Sequence, residues 1–267
     1  MMDLLQFAFM QRALAAGVLI GLLCAVVGTY VVHKGLSFMG AGIAHASFGG
    51  VALGVWLGIH PLLSALVFCL AVGLGIAWLS LNTQVREDTA IGIFFASTMA
   101  LGILVIGLIQ GYRQDLFGYL FGSILSVSAA DLWIILACAA LVLVLLWLFG
   151  KDLLFVIFDA EGAAVSGLSA NGLYYLLIAL VTLTVVVSIK VVGIVLVSAL
   201  LITPAAAASQ LSERFGRILV YAAGISVAST LAGLLLSYAW DTASGATIVM
   251  VVTAVFLLTS LLSRLRR

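Results

Sequence analysis

Charge is what this sequence has least of. Only 8% of its 267 residues are Asp, Glu, Lys or Arg, while 65% are hydrophobic, and a water-soluble globule needs far more polar surface than that. The chain therefore reads as an all-α, polytopic membrane protein. It forms one transmembrane domain over residues 1–267, with short loops and no room for a separate soluble domain. Histidine is limited to His33, His45 and His60. None has a Glu beside it, no HExxH is present and no GxSG stands in an apolar run, so intramembrane hydrolysis lacks its usual groups. The one Gly-Lys pair, Gly150–Lys151, is followed by Asp152 where a phosphate-binding loop needs Ser or Thr. Any ATP that drives this protein is bound by another chain. Cys24, Cys69 and Cys138 lie in apolar runs without CxxC spacing and read as buried thiols. A net charge of +1 gives no reason to expect nucleic acid as a partner.

What is present is a succession of apolar runs. A crossing takes about 20 residues, which predicts spans at Leu14–Val32, Phe38–Leu57, Leu62–Leu81, Thr89–Ile109, Leu132–Phe149, Leu173–Ile189, Gly193–Ala208, Ile218–Trp240 and Ala246–Leu262. The seventh is short and ends in Thr203 and Pro204, so either nine crossings or eight plus a broken half-span are expected. No cleavable signal is evident, because the first run follows Gln11 and Arg12 and continues for a full span. With nine crossings and the C-terminal Arg264, Arg266 and Arg267 inside, Lys34, Arg86, Lys151, Arg214 and Arg217 also fall inside, and Arg12, Arg113 and Lys190 fall outside. That excess supports the count and puts the N-terminus outside, with Met1–Gln11 as a candidate interfacial helix. Between spans, Gln110–Asp131, with Gly118 and Gly122, reads as a helix packed in the outer leaflet or re-entrant. Lys151–Gly172 reads either as a solvated loop or as a short interfacial helix capped by Asp159. Thr203–Arg217 passes from alanine to polar residues, as a helix leaving the membrane on the cytoplasmic side does.

The stretch Phe38–Gly58 stands apart. Gly42, Ala46, Gly50, Gly54 and Gly58 recur every fourth position and make a ridge against which another helix can pack closely. One position off the ridge is His45, the one ionisable side chain well inside an apolar run. Such a group faces protein or a watery path rather than lipid. Carboxylates are missing from the spans, whereas carriers driven by ion gradients use them for coupling. The protein thus reads as a passive path opened from outside the membrane. His45 is either a transient ligand for a first-row metal or a hydrogen-bonded packing residue.

Four blocks, in order and similarly spaced, resemble the permease subunits of ABC transporters that import zinc, manganese or iron: Ser37–Gly54, Arg86–Phe95, Asp115–Leu125 and Val192–Ala208. The resemblance runs along nearly the whole chain. It implies a permease like those of type II ABC importers, placed multi-pass in the cell (inner or plasma) membrane of a prokaryote. A second permease copy as homodimer, a cytoplasmic ABC ATPase dimer holding ATP and magnesium, and an extracytoplasmic metal-binding protein are the implied partners. The segment near Thr203–Arg217 becomes the coupling helix, with Thr203, Pro204, Gln210, Glu213, Arg214 and Arg217 as candidate contacts. Relatives commonly carry an acidic residue four before the histidine; here that position is Ala41. A site without the carboxylate favours zinc over manganese or iron. The chain itself is expected to bind no resident cofactor, only the divalent ion in transit at His45, with His60 as a further ligand or a solvated loop residue. Two rival readings are a permease for a larger metal chelate such as a cobalamin or siderophore, and an ATP-independent channel or scaffold.

Overall fold

The computed structural model describes residues 8–109 and 127–265. Most of the re-entrant segment expected within Gln110–Asp131, with Gly118 and Gly122, lies outside the described residues, as do residues 1–7 of the expected interfacial helix, Arg113, Arg266 and Arg267.

The described residues form α1 (Ala8–Lys34), α2 (Met39–Leu57), α3 (Pro61–Asn82), α4 (Glu87–Leu108), α5 (Ala129–Phe158), α6 (Ala160–Val165), α7 (Ala170–Ser209), α8 (Phe215–Trp240) and α9 (Ser244–Leu265). Local chemistry sets several of their ends. Gly58, with φ of 68°, closes α2, and its N–H bonds back to Gly54 and Val55. Pro61 opens α3, where its missing N–H costs nothing. Ser128 and Asp131 form a reciprocal capping box at the start of α5. Asp159 accepts the Gly162 N–H at 2.8 Å and so starts the short α6, and Ser169 does the same for α7 through Gly172.

Eight of these helices are long and apolar enough to cross a membrane. One of them, α7, has 40 residues and would be about 60 Å long if straight, twice the hydrocarbon thickness. It is not straight. Gly193 has φ of 81° and ψ of 166°, a conformation open only to glycine, and divides α7 into α7a (residues 170–192) and α7b (residues 194–209). The contacts at the two ends show that the chain reverses there. Near one end of the bundle, Lys34 Nζ lies 5.8 Å from the Tyr174 ring, and the His33 ring lies 6.0 Å from that of Phe158 and 5.3 Å from that of Phe215. Near the other, Lys190 pairs with Asp131 and shares a cavity wall with His60. So α7a leaves the end where Tyr174 sits and reaches the end where Lys190 sits, and α7b returns to the loop before Phe215. The sixth and seventh expected spans are two limbs of one element, and the described residues make nine passes of the bundle in eight long helices.

This arrangement puts Lys34, Arg86, Lys151, Arg214, Arg217 and Arg264 toward one end and Arg12 and Lys190 toward the other. By charge bias the positive end is the one expected to face the cytoplasm, and it is called the cytoplasmic end below. The tryptophans agree with a bilayer around the waist: Trp133 and Trp147 of α5 are both exposed and are about 21 Å apart along the helix.

At the centre, α2 packs on α3, α4 and α7. The small residues on it meet different neighbours rather than one helix. A side chain at Gly42 would stand 2.7 Å from Ile91 of α4, and one at Gly50 or Gly54 would run into Ala65 or Ser64 of α3. Ala46 is fully buried. Gly58, expected as the last step of the ridge, is instead the residue that ends the helix, and a side chain there would meet no neighbour within 4 Å. Approaches as close lie off the ridge, where a side chain at Gly49 of α2 would stand 2.7 Å from the Thr98 carbonyl oxygen and one at Gly102 of α4 would stand 2.6 Å from Phe48.

Candidate metal path and cytoplasmic loop

Most of the surface of α2 is covered by its neighbours, and the exception on its first half is a line through Phe38, Ala41 and His45. These positions are three and four apart and so share one face. His45 is half-buried, about 9 Å along α2 from its cytoplasmic start. Its Nδ1 lies 2.9 Å from the Ala41 carbonyl oxygen. A carbonyl can only accept, so Nδ1 carries the proton, and in the neutral ring the lone pair sits on Nε2. The imidazole is thereby oriented by its own helix backbone, as metal-binding histidines are by a partner on the second nitrogen. Its ring lies 4.6 Å from that of Phe95, on the exposed face of α4, at an angle of 56°. Among the described residues no group of three or more His, Cys, Asp or Glu is placed to hold a metal. Ala41 adds no donor beyond the carbonyl already engaged. The described residues thus offer one oriented nitrogen next to an aromatic face, a contact too weak to trap an ion.

His60 is not part of that contact. It stands 15 residues further on, about 22 Å along the helix direction, exposed in the turn between α2 and α3. It lines a cavity of about 210 Å³ with Ser47, Val51, Pro61, Ala65 and Lys190. Lys190 in the same wall is a cation and not a metal ligand, so His60 has no second His, Cys, Asp or Glu ligand beside it in the lining of this cavity.

The Lys190 ammonium pairs with the Asp131 carboxylate, which also takes the Ser128 hydroxyl at 2.7 Å and its N–H at 3.1 Å. The pair ties the Gly193 elbow to the start of α5. Sequence reasoning treated both as loop charges. The signal was Lys190 standing inside an otherwise unbroken apolar run with a glycine three residues later.

On the cytoplasmic side, the candidate coupling residues separate into two sets. Thr203 and Pro204 lie inside α7b, where Pro204 is buried among helices and offers no surface to a partner. Gln210, Glu213, Arg214 and Arg217 are exposed. They surround an open cavity of about 430 Å³ whose wall is completed by Ser263 of α9, and the Ser263 hydroxyl donates to Gln210 Oε1 at 3.2 Å. A concave, charged loop is thus held between the end of α7b and the last helix.

A family model described as the ABC 3 transport family matches residues 6–263 of the chain. The manganese transport system membrane protein MntC of Halalkalibacterium halodurans is 39% identical over 256 residues, which are 96% of this chain and 88% of that protein. The manganese import system permease protein ScaB of Streptococcus gordonii is 37% identical over 251 residues, 94% of this chain and 90% of the other. Among solved structures, PsaBC from Streptococcus pneumoniae in complex with Fab matches with a TM-score of 0.86 and 36% identity, over 97% of this chain and 93% of that one.

Proposed function

Because the chain belongs to the ABC 3 transport family, a family of bacterial multi-pass membrane permeases, we propose that residues 1–267 form the single transmembrane permease domain of a binding-protein-dependent importer of divalent metal ions. Two copies enclose the path, a separate pair of ATPase subunits docks on the loop around Gln210, Glu213, Arg214 and Arg217, and an extracytoplasmic binding protein delivers the ion. The observation that carries this reading is His45: a half-buried imidazole within a membrane helix, its tautomer fixed and its Nε2 free, on the open face of α2. That face needs a covering that lipid cannot supply to an ionisable group. A second copy supplies it and brings a second imidazole toward the first.

Zinc is the favoured ion. A neutral nitrogen ligand without a carboxylate suits zinc better than manganese, although relatives bear manganese in their names, so manganese is the competitor to test. The chemistry asked of the chain is modest. Its one oriented nitrogen replaces a water of the passing ion, and it lets go because few other ligands hold the ion. Phosphoryl transfer takes place on the partner, and this chain contributes the loop that is pushed.

The test is uptake of zinc and manganese by proteoliposomes holding the permease, its ATPase and the binding protein, with ATP inside. ATP-dependent zinc uptake that falls at least tenfold in His45→Ala at equal expression is the expected result. Unchanged uptake in that variant removes His45 from the path, and equal movement without ATPase identifies a channel instead.

A further inference from the structure

The limb α7b joins the outer elbow at Gly193 directly to the cytoplasmic loop. At its outer end the chain is fixed, because Lys190, three residues before the elbow, is held by Asp131 of α5. Its inner end runs into Gln210 and the exposed loop. Between the two, Leu201 touches both of the first two helices. Gly28 of α1 lies so close to Leu201 that any Cβ there would overlap the Leu201 carbonyl oxygen, and a Cβ on Gly40 of α2 would stand 2.5 Å from Leu201 Cδ2. Leu201 is fully buried. Its backbone therefore rests on α1 and its side chain fills the space left by the missing side chain of Gly40, five residues before His45.

From this geometry we propose that Leu201, seated on Gly28 and Gly40, is the positioning residue that passes a displacement of the cytoplasmic loop to the helix carrying His45. A close-packed contact with no spare volume moves its neighbour rather than absorbing the motion. Leu201 stands eight residues from the Gly193 pivot and Ser209 sixteen, so the limb acts as a lever of about 12 Å within about 24 Å. A shift of about 2 Å at the loop becomes about 1 Å at Gly40, enough to move an imidazole in or out of contact with an ion. The inference rests on the reading of the loop as the ATPase dock.

The experiment uses the assembled permease and ATPase with the binding protein in proteoliposomes, with zinc as the probe, and reads zinc ions moved per ATP hydrolysed. Gly40→Ala intrudes on the Cδ2 atom of Leu201 alone, since the other Leu201 atoms within 4 Å of the new Cβ are 3.7 and 3.8 Å away. Trimming with Leu201→Val then makes room again. The expected outcome for Gly40→Ala and for Leu201→Ala is ATP hydrolysis within about twofold of the parent and a transport ratio at least fivefold lower, with the Gly40→Ala/Leu201→Val double variant returning to within about twofold. An unchanged ratio in Gly40→Ala overturns the proposal. So does a fall of hydrolysis and uptake together, or a double variant no better than the single one. If Leu201→Ala does not assemble, the Gly40→Ala pair decides. A parent complex that hydrolyses ATP but moves no metal refutes the importer reading instead, before any variant is compared.

Discussion

Replacing Ala41 by Asp puts a carboxylate one helical turn before His45 on the open face of α2, where the side chain now ends in a methyl group and the position is half-exposed. Two unit charges about 4 Å apart attract by about 4 kcal/mol at an effective dielectric constant near 20, so a dication gains about 8 kcal/mol. Taking the carboxylate out of water costs several kcal/mol, which leaves about 3 kcal/mol, or roughly 100-fold in affinity. A hard oxygen donor favours manganese more than it favours zinc. Manganese binding to the detergent-solubilised complex, followed by loss of the free-ion electron paramagnetic resonance signal, is thus expected to tighten roughly 100-fold in Ala41→Asp. Ala41→Asn, which has the same shape without the charge, gains little. Transport of zinc by Ala41→Asp slows, since a site that holds its ion releases it late. Equal manganese affinities for the Asp and Asn variants would refute the reasoning, because a carboxylate on a path for cations cannot be without effect on them.

Three further outcomes follow from the fold. Cysteines placed at Ser166 and Ser212 are expected to react with a membrane-impermeant maleimide from the same side of the membrane, and one at Thr242 from the opposite side, because α7 doubles back; labelling of 166 and 212 from opposite sides would mean that α7 crosses once. Gly193→Ala forces a side chain into a conformation that costs about 1–3 kcal/mol and is expected to lower the thermal midpoint in detergent by several degrees, whereas a midpoint equal to the parent's would place the reversal elsewhere. Asp131→Ala removes both the partner of Lys190 and the carboxylate half of the capping box, and is expected to destabilise by about 1 kcal/mol more than Asp131→Asn, which keeps an oxygen for the Ser128 N–H; equal losses on heating would mean that this half of the box contributes nothing.

Length and polarity made most of the bundle legible. The boundaries of α2, α3, α8 and α9 differ from the apolar runs by only a few residues, since a hydrocarbon slab leaves a helix little choice about where to end. The uncertainty over eight or nine crossings had a specific cause. Apolar runs report how much chain lies in the membrane but not where it turns, and between Ile189 and Gly193 the turn is made by one glycine with no polar loop. Asp159 as the cap of a short helix was readable because capping is local chemistry. The pairing of Asp131 with Lys190 was not, because the two are 59 residues apart and only the folded bundle brings them together.

The site was legible to a different depth. A histidine in an apolar helix announces itself by its cost, so position 45 needed no structure. What its ring does depended on a fact the sequence does not carry: the Nδ1 proton is spent on the Ala41 carbonyl, the backbone of the very residue whose side chain gives no ligand. Ala41 thus orients the histidine through its main chain while withholding a donor through its side chain. The same helix is held by glycines on three sides, at Gly40, Gly49 and Gly50, against α7b, α4 and α3. A helix packed backbone to backbone is stiff, and a single imidazole on it can be brought into a path or withdrawn only by moving the helix as a body. On the proposed reading, weak ligation and a rigid mount belong together: an ion at His45 would be held loosely enough to leave, and the timing of its departure would pass to whatever moves α2.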